Sequence, residues 1–328
     1  MQILMTQSGY DRIRDRLAPL AAGHQIVTVS ANDVFEMDGR PVDPEAVNPE
    51  VVWLSLDSRA SGLFRTLAVR LLKSPATRWT QVFSAGLDDP SFQKFMAKGV
   101  RISKSSSQAV PIAEYVVGHA VSLLVPIEAQ RDAQAAHEWR HTPWREVGHT
   151  RWLLVGYGSI GREIARRIKP FGVDLTVVRR SKTETELADR VVTQAELPAV
   201  LPEADVVVLA CPLTDETRGM ADPAFFAAMK PGAMLINIGR GALVDEDALR
   251  AGLDRDQPGR AVLDVFATEP LPADSWFWDH PKVRVSAHTS NAGDGNVGRG
   301  DALFLENLRR YLAGEALLNE AQPREVGL

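Results

Sequence analysis

Over the first hundred residues, apolar runs rich in β-branched side chains alternate with stretches whose apolar positions recur at helical spacing. The runs Gln2–Thr6, Gln25–Ser30, Val51–Leu56, Trp79–Ser84 and Val100–Ser103 predict strands. Tyr10–Ala21 and Gly62–Lys73 predict helices, and Met37-Asp38-Gly39-Arg40-Pro41 predicts a turn. One long helix is predicted over Val110–His137, followed by a polar loop carrying Trp139 and Trp144. The alternation then resumes. Arg151–Val155, Asp174–Val178, Ala204–Ala210, Ala233–Ile238, Arg260–Val265 and Val283–Ser286 read as strands. Ile160–Lys169, Pro223–Met229, Glu246–Ala251 and Gly300–Ala313 read as helices. The run ADVVVLA is almost wholly apolar, as expected of a strand covered on both faces. Strand–helix alternation of this kind predicts an α/β protein built on two doubly wound parallel sheets.

Composition narrows the field. A chain of 328 residues corresponds to about two domains. Hydrophobic residues make up 45% and charged residues 24%, the balance of a globular protein. The formal charge of −5 gives no basic footprint for nucleic acid. A single cysteine, Cys211, excludes a disulfide scaffold and a cysteine-rich zinc site, and no metal is expected. The opening MQILMTQSGYDRIRDRL lacks a basic segment followed by an apolar one, which argues against a secretory signal. Ala109–Ile127, the most apolar stretch, contains Glu114, His119 and two prolines and reads as a buried helix rather than a membrane span. The expectation is a cytoplasmic protein with no membrane or nucleic-acid partner.

Gly156-Tyr157-Gly158-Ser159-Ile160-Gly161 follows the strand RWLLV and opens a helix. In that context G-x-G-x-x-G predicts a dinucleotide site. Gly156 permits the tight turn, Gly158 lets backbone approach a pyrophosphate, and Gly161 lets helix and strand pack closely. The N–H groups of Ser159 and Ile160 would face the phosphates at the positive end of the helix. An NAD site usually carries an acidic residue at the end of the next strand, to hold the ribose 2′-hydroxyl. Here that place holds Arg179-Arg180-Ser181-Lys182-Thr183. Guanidiniums and hydroxyls suit a 2′-phosphate, so NADP(H) is predicted to be preferred over NAD(H).

Three later segments place polar side chains just after buried strands, at the sheet edge where open α/β proteins bind ligands. Arg240 follows Ile236-Asn237-Ile238-Gly239, Glu269 follows LDVFAT, and His288 follows VRVSA. A carboxylate beside an imidazole favours its charged form and orients the ring. Taken singly, each also fits a bland role: a cap, a turn, an ordinary half-buried histidine.

Together with VGYGSIGREIARRIKPFG, CPLTDETRGM, MLINIGRGALVDEDAL, AVLDVFATEPLP and HPKVRVSAHTS, in that order, these segments resemble the D-isomer-specific 2-hydroxyacid dehydrogenase family. The nearest branch is the NADPH-dependent glyoxylate/hydroxypyruvate reductases, because of the Arg-Arg-Ser run. The resemblance covers about residues 108–291; before that it rests on strand–helix order and on the Phe83-Ser84-Ala85-Gly86-Leu87-Asp88 loop. It implies that Arg240, Glu269 and His288 are catalytic. Arg240 would grip the carboxylate and keto oxygen of a small 2-keto acid, and His288 would protonate the carbonyl oxygen as hydride arrives. Glu269 would keep His288 charged. Backbone N–H groups of Ala85, Gly86 and Leu87 would cradle the carboxylate. Asp264 would meet the nicotinamide carboxamide, and Cys211, Pro212, Thr217 and Ile238 would wall the cofactor site. It also implies a Rossmann cofactor domain, 105–290, inserted in a flavodoxin-like substrate domain, 1–104 with 291–328, the ligands lying in the crevice between them. The Trp139/Trp144 loop would belong to a homodimer arm.

Three departures stand out. Ala287 replaces a common proline. Lys104-Ser105-Ser106-Ser107 replaces the usual signals near the substrate loop and bears on substrate identity. Val147-Gly-His-Thr-Arg151 replaces the usual lead into the glycine loop and is expected to alter only a surface turn. Two other readings accompany this one: a dinucleotide-sensing, corepressor-like binding protein on the same fold, and a dehydrogenase of an unusual acid.

Overall fold

The computed structural model describes residues 1–328. The chain forms two compact units, Met1–Gln108 with Asp294–Leu328, and Ala109–Gly293.

The first unit runs β1 (Gln2–Thr6), α1 (Gln7–Leu17), β2 (Gln25–Ser30), β3 (Val34–Met37), β4 (Arg40–Pro41), β5 (Val51–Leu54), α2 (Leu56–Ala60), α3 (Phe64–Lys73), β6 (Trp79–Val82), α4 (Pro90–Ala97) and β7 (Arg101–Ser103). Its sheet has the order β4-β3-β2-β1-β5-β6-β7. The five parallel strands β2-β1-β5-β6-β7 follow the flavodoxin-like order. The expected turn at Met37–Pro41 joins an antiparallel hairpin at the sheet edge. Its two loop residues, Asp38 and Gly39, have φ of 53° and 73°, as a type I′ turn requires. The pleat sorts the apolar residues: Leu4, Val52 and Leu54 enter one core, while Ile3, Met5, Val51 and Trp53 enter the other.

The second unit runs α5 (Ala109–Leu124), α6 (Ile127–Ala135), β8 (Arg151–Val155), α7 (Ser159–Ile168), β9 (Asp174–Val178), β10 (Arg190–Val192), α8 (Leu197–Val200), β11 (Val206–Leu209), α9 (Pro223–Ala228), β12 (Met234–Asn237), α10 (Glu246–Asp254), β13 (Arg260–Leu263) and β14 (Val283–Val285). All seven strands are parallel, in the order β10-β9-β8-β11-β12-β13-β14. That is the doubly wound Rossmann order with one further strand. Val206–Leu209 is buried along its length, as a strand covered on both faces must be. The chain then returns as α11 (Gly295–Leu312) to the first unit.

The structure corrects the sequence reading in two places. The single helix expected over Val110–His137 is two, bent by 56° at a break around Pro126. Proline has no N–H to donate and its ring crowds the preceding turn, so the ladder stops there although the apolar period continues. No single helix is long and apolar enough to cross a membrane. The segment 147–151 is more than a surface turn. Val147 and Thr150 are buried, and the Thr150 hydroxyl donates to Val147 O at 2.6 Å and accepts from Trp152 Nε1 at 2.9 Å. Separately, Lys104–Ser107 are knit into the first unit. Ser107 Oγ donates to Asn296 Oδ1 at 2.6 Å, Ser105 N donates to Ser84 O at 2.9 Å, and Lys104 pairs with Glu325.

α11 completes the first core. Phe304 is fully buried and stacks on Trp53 at a centroid distance of 4.3 Å and on Trp79 at 5.9 Å. Phe304→Ala removes a buried aromatic that its neighbours cannot close over. It should cost about 3–5 kcal/mol, read as a lower Tm by tryptophan fluorescence. A loss below about 1 kcal/mol would mean that the helix merely rests on the sheet.

Candidate active site

Parallel strands send every β–α loop of the second unit to the same edge of its sheet, and the predicted residues lie on those loops. The first loop follows β8. Gly156 has φ of 105°, and a Cβ there would lie 2.6 Å from Ala210 O. A Cβ on Gly161 would lie 2.3 Å from Gly156 O, so these two glycines are obligatory for the turn and for close helix packing. At Gly158 a Cβ would meet nothing within 4 Å. The space there is open, and no side chain caps the start of α7. The first-turn N–H groups at Ser159 and Ile160 therefore lack protein acceptors and form a cradle suited to a pyrophosphate. The residues fit the dinucleotide that the loop predicts.

The loop after β9 is held by Tyr157. The Arg179 guanidinium carbon lies 5.7 Å from the Tyr157 ring centroid, and Arg179 Nη1 donates to Thr183 O at 2.9 Å. Tyr157 OH bonds Thr185 Oγ1 at 2.8 Å, so one ring braces the loop from both ends. Lys182 is neutralised by Glu196 at 2.7 Å, whereas Arg180 is exposed and pairs with no acid. Ser181 Oγ lies 3.3 Å from Thr183 Oγ1.

Across the sheet, Thr217 shapes the loop after β11. Its hydroxyl donates to Pro212 O at 2.8 Å and accepts from Thr214 N at 2.8 Å. Cys211 is buried with Sγ 3.7 Å from Met220 Sδ, and Ile238 is buried in the sheet core.

Arg240 follows β12 on a turn tied by Asn237. Asn237 Nδ2 donates to Arg240 O at 2.9 Å, and Asn237 Oδ1 accepts from Gly239 N at 3.1 Å. Gly241 lets this loop touch the next one: a Cβ there would lie 1.9 Å from the Phe266 carbonyl carbon. The touching loop bears Glu269, whose Oε1 accepts from Phe266 N at 3.0 Å. Its other oxygen, Oε2, lies 2.8 Å from His288 Nδ1. A carboxylate only accepts, so Nδ1 carries a proton and Nε2 is left to face a ligand. His288 and Glu269 are partly exposed, at 46% and 35% of their side-chain surface.

Asp264 is enclosed by the chain around it. It has no accessible surface, and its own chain engages it. Ser286 Oγ donates to Oδ1 at 2.5 Å, Thr289 N to Oδ1 at 2.9 Å and Ser290 N to Oδ2 at 3.0 Å, while His288 N donates to Asp264 O at 2.9 Å. These bonds hold His288 at φ 53°, a left-handed conformation that a side chain rarely adopts. Tyr115 on α5 donates in turn to Ser286 Oγ at 2.7 Å. Burial pushes its phenol up to about 12, so it remains a donor at neutral pH. Sequence reasoning missed Asn237, Ser286, Tyr115 and Tyr157.

In the first unit, the N–H groups of Ala85, Gly86 and Leu87 donate to no protein acceptor, on the loop after β6.

Residues 117–290 match the family described as D-isomer specific 2-hydroxyacid dehydrogenase, NAD binding domain. The chain belongs to this family. The dehydrogenase is accordingly an oxidoreductase that moves a hydride between a nicotinamide dinucleotide and a 2-hydroxy acid. It is 32% identical to glyoxylate/hydroxypyruvate reductase B of Pectobacterium carotovorum over 77% of this chain and 82% of that one. It is 31% identical to (S)-sulfolactate dehydrogenase of Chromohalobacter salexigens over 75% of this chain and 81% of that one. Among solved structures it resembles a D-isomer specific 2-hydroxyacid dehydrogenase of Xanthobacter autotrophicus Py2, in complex with NADPH and MES. That likeness has a TM-score of 0.78, with 26% identity and 99% of each chain covered.

Burial pushes the Cys211 thiol up to about 11, so near pH 8 it is almost wholly protonated. Alkylation by iodoacetamide should be slow in the native dehydrogenase and quicken as pH rises toward that value. Fast labelling at pH 8 without denaturant would show an exposed, activated thiol instead.

Proposed function

We propose that this dehydrogenase is an NADPH-dependent reductase that converts small 2-keto acids, glyoxylate and hydroxypyruvate among those it accepts, to 2-hydroxy acids of D configuration. The observation that carries this reading is the 2.8 Å contact between His288 Nδ1 and Glu269 Oε2, on the sheet edge that also bears the glycine loop. When bound, NADPH supplies the hydride. The chain's own residues do the rest. The cradle at Gly156, Gly158, Ser159, Ile160 and Gly161 holds the pyrophosphate, and Arg179, Arg180 and Ser181 hold the 2′-phosphate. Cys211, Pro212, Thr217 and Ile238 shape the adjoining wall. Arg240 orients the acid by its carboxylate and keto oxygen, and the N–H groups at Ala85–Leu87 take up carboxylate charge. His288 gives a proton from Nε2 to the carbonyl oxygen while Glu269 holds Nδ1–H and balances the imidazolium. Asp264 acts through the backbone by fixing the His288 loop.

The unit Ala109–Gly293 serves as the cofactor domain and the other as the substrate domain. The arm bearing Trp139 and Trp144 supports a homodimer, since both rings are exposed, Trp139 fully, and tryptophan is enriched at interfaces. A cytoplasmic location fits a nicotinamide-dependent reductase of small acids. The two curated relatives differ in acid: sulfolactate carries a second anionic group and hydroxypyruvate does not. Membership alone therefore leaves the substrate's far end open.

The test is oxidation of NADPH and NADH with glyoxylate and hydroxypyruvate. NADPH should give the higher kcat/KM. Arg179→Asp with Arg180→Ala should weaken NADPH about tenfold or more and NADH far less, because only NADPH carries the 2′-phosphate. Equal kcat/KM for both cofactors in the wild type overturns the preference.

Arg240→Lys keeps the charge but loses the planar fork. It should lower kcat/KM about tenfold or more, the equivalent of one charged hydrogen bond. Kinetics within about twofold of wild type would remove Arg240 from the substrate's grip.

A further inference from the structure

The loop after β5 carries a cation that the reduction itself does not require. Arg59 lies on α2, three residues after β5 enters the helix, and its side chain is exposed. β5 and β6 are parallel neighbours in the register Leu54↔Val82, so Ser55 and Phe83 leave the sheet side by side. The Arg59 guanidinium carbon lies 5.7 Å from the centroid of the Phe83 ring. Phe83 is fixed from its edge by Phe64, at 6.2 Å and an interplanar angle of 83°, and Phe64 meets Phe92 at 6.3 Å. The half-buried Phe83 ring is thus braced against the packed core through Phe64, and directly after it the chain presents Ser84, Ala85 and Gly86.

Nothing in the chain neutralises this cation. The acid nearest in sequence, Asp57, is taken by Arg12 at 2.7 Å and by Ser55 Oγ at 3.2 Å. The Arg59 guanidinium makes no ion pair or hydrogen bond with another residue, although its carbonyl accepts from Gly62 N at 3.1 Å. A guanidinium on an aromatic face keeps its in-plane N–H groups directed sideways, which suits planar or tetrahedral oxyanions. It stands beside the loop whose free N–H groups are proposed to take the reacting carboxylate, yet on a different strand end. It is therefore placed for another part of the same molecule.

We propose that Arg59 recognises a second anionic group, so that the preferred substrate is a 2-keto acid bearing a carboxylate, sulfonate or phosphate ester at the end away from its reacting carbonyl. This rests on the reading of the site as that of a 2-keto acid reductase. Arg59 sets specificity and takes no part in proton or hydride transfer.

The experiment follows NADPH oxidation with six keto acids. Glyoxylate, pyruvate and hydroxypyruvate carry one anionic group. Oxaloacetate, 3-sulfopyruvate and 3-phosphohydroxypyruvate carry two, and the best of these three identifies the group preferred. The wild type should show kcat/KM for one dianion about tenfold or more above the best monoanion. Arg59→Ala should lower that ratio about tenfold, mostly through KM, and Arg59→Lys should fall between, since it keeps charge without the planar fork of N–H donors. A wild type that favours monoanions, or a ratio that Arg59→Ala leaves within about twofold, overturns the proposal while leaving the reductase standing. If none of the six is reduced, the reductase reading itself fails and the proposal falls with it.

Discussion

The second unit turns on one buried carboxylate. Asp264 directly follows β13 inside the protein, where an unpaired charge would be costly, and it is compensated by one hydroxyl and two backbone N–H groups from residues 286–290. Those donors belong to the chain leaving β14. Satisfying Asp264 therefore dictates where that chain goes, and His288 is carried round with it into a left-handed turn. The imidazole meets Glu269 because the backbone on either side of it is already committed. The close approach of Gly241 to Phe266 does the same for the neighbouring loops and ties the Arg240 turn to the Glu269 turn. The geometry is made by main-chain contacts, with the reactive side chains set on top of them.

The cofactor end follows the same logic with other means. Two glycines close the turn after β8 because any side chain there would strike backbone, while the third stands over open space. Tyr157, between them, reaches out to the following loop and places its ring within cation–π range of Arg179. A residue whose identity the glycine pattern leaves free thereby links the phosphate cradle to the basic loop beyond β9.

Much of the fold was legible because it is written in local periodicity. Gln2–Thr6, Gln25–Ser30, Arg151–Val155 and Asp174–Val178 appear with the bounds their apolar runs predict. Arg190–Val192 and Pro90–Ala97 were not foreseen; the first is a three-residue edge strand and the second a helix of two turns, both too short to show a period. The break near Pro126 was overlooked because the apolar positions continue across it. At the site, the glycine loop and the basic run could be read from residue spacing. Arg240, Glu269 and His288 became a set only through family resemblance. Tyr115, Ser286, Asn237 and Tyr157 stayed hidden, because nothing local marks a tyrosine that braces an arginine more than twenty positions away, or a serine whose partner directly follows the previous strand.

The stacking of Phe304 between Trp53 and Trp79 ties the order of assembly to the order of synthesis. The first sheet is made early, yet one of its two cores lacks its central aromatic until α11 emerges. Meanwhile the whole of the contiguous second unit has left the ribosome. A contiguous unit closes shorter loops and has no such wait. The nascent chain thus carries a half-covered sheet, with Trp53 and Trp79 awaiting their third ring, while the inserted unit folds. During that interval the two indoles lack the ring that covers them in the finished sheet.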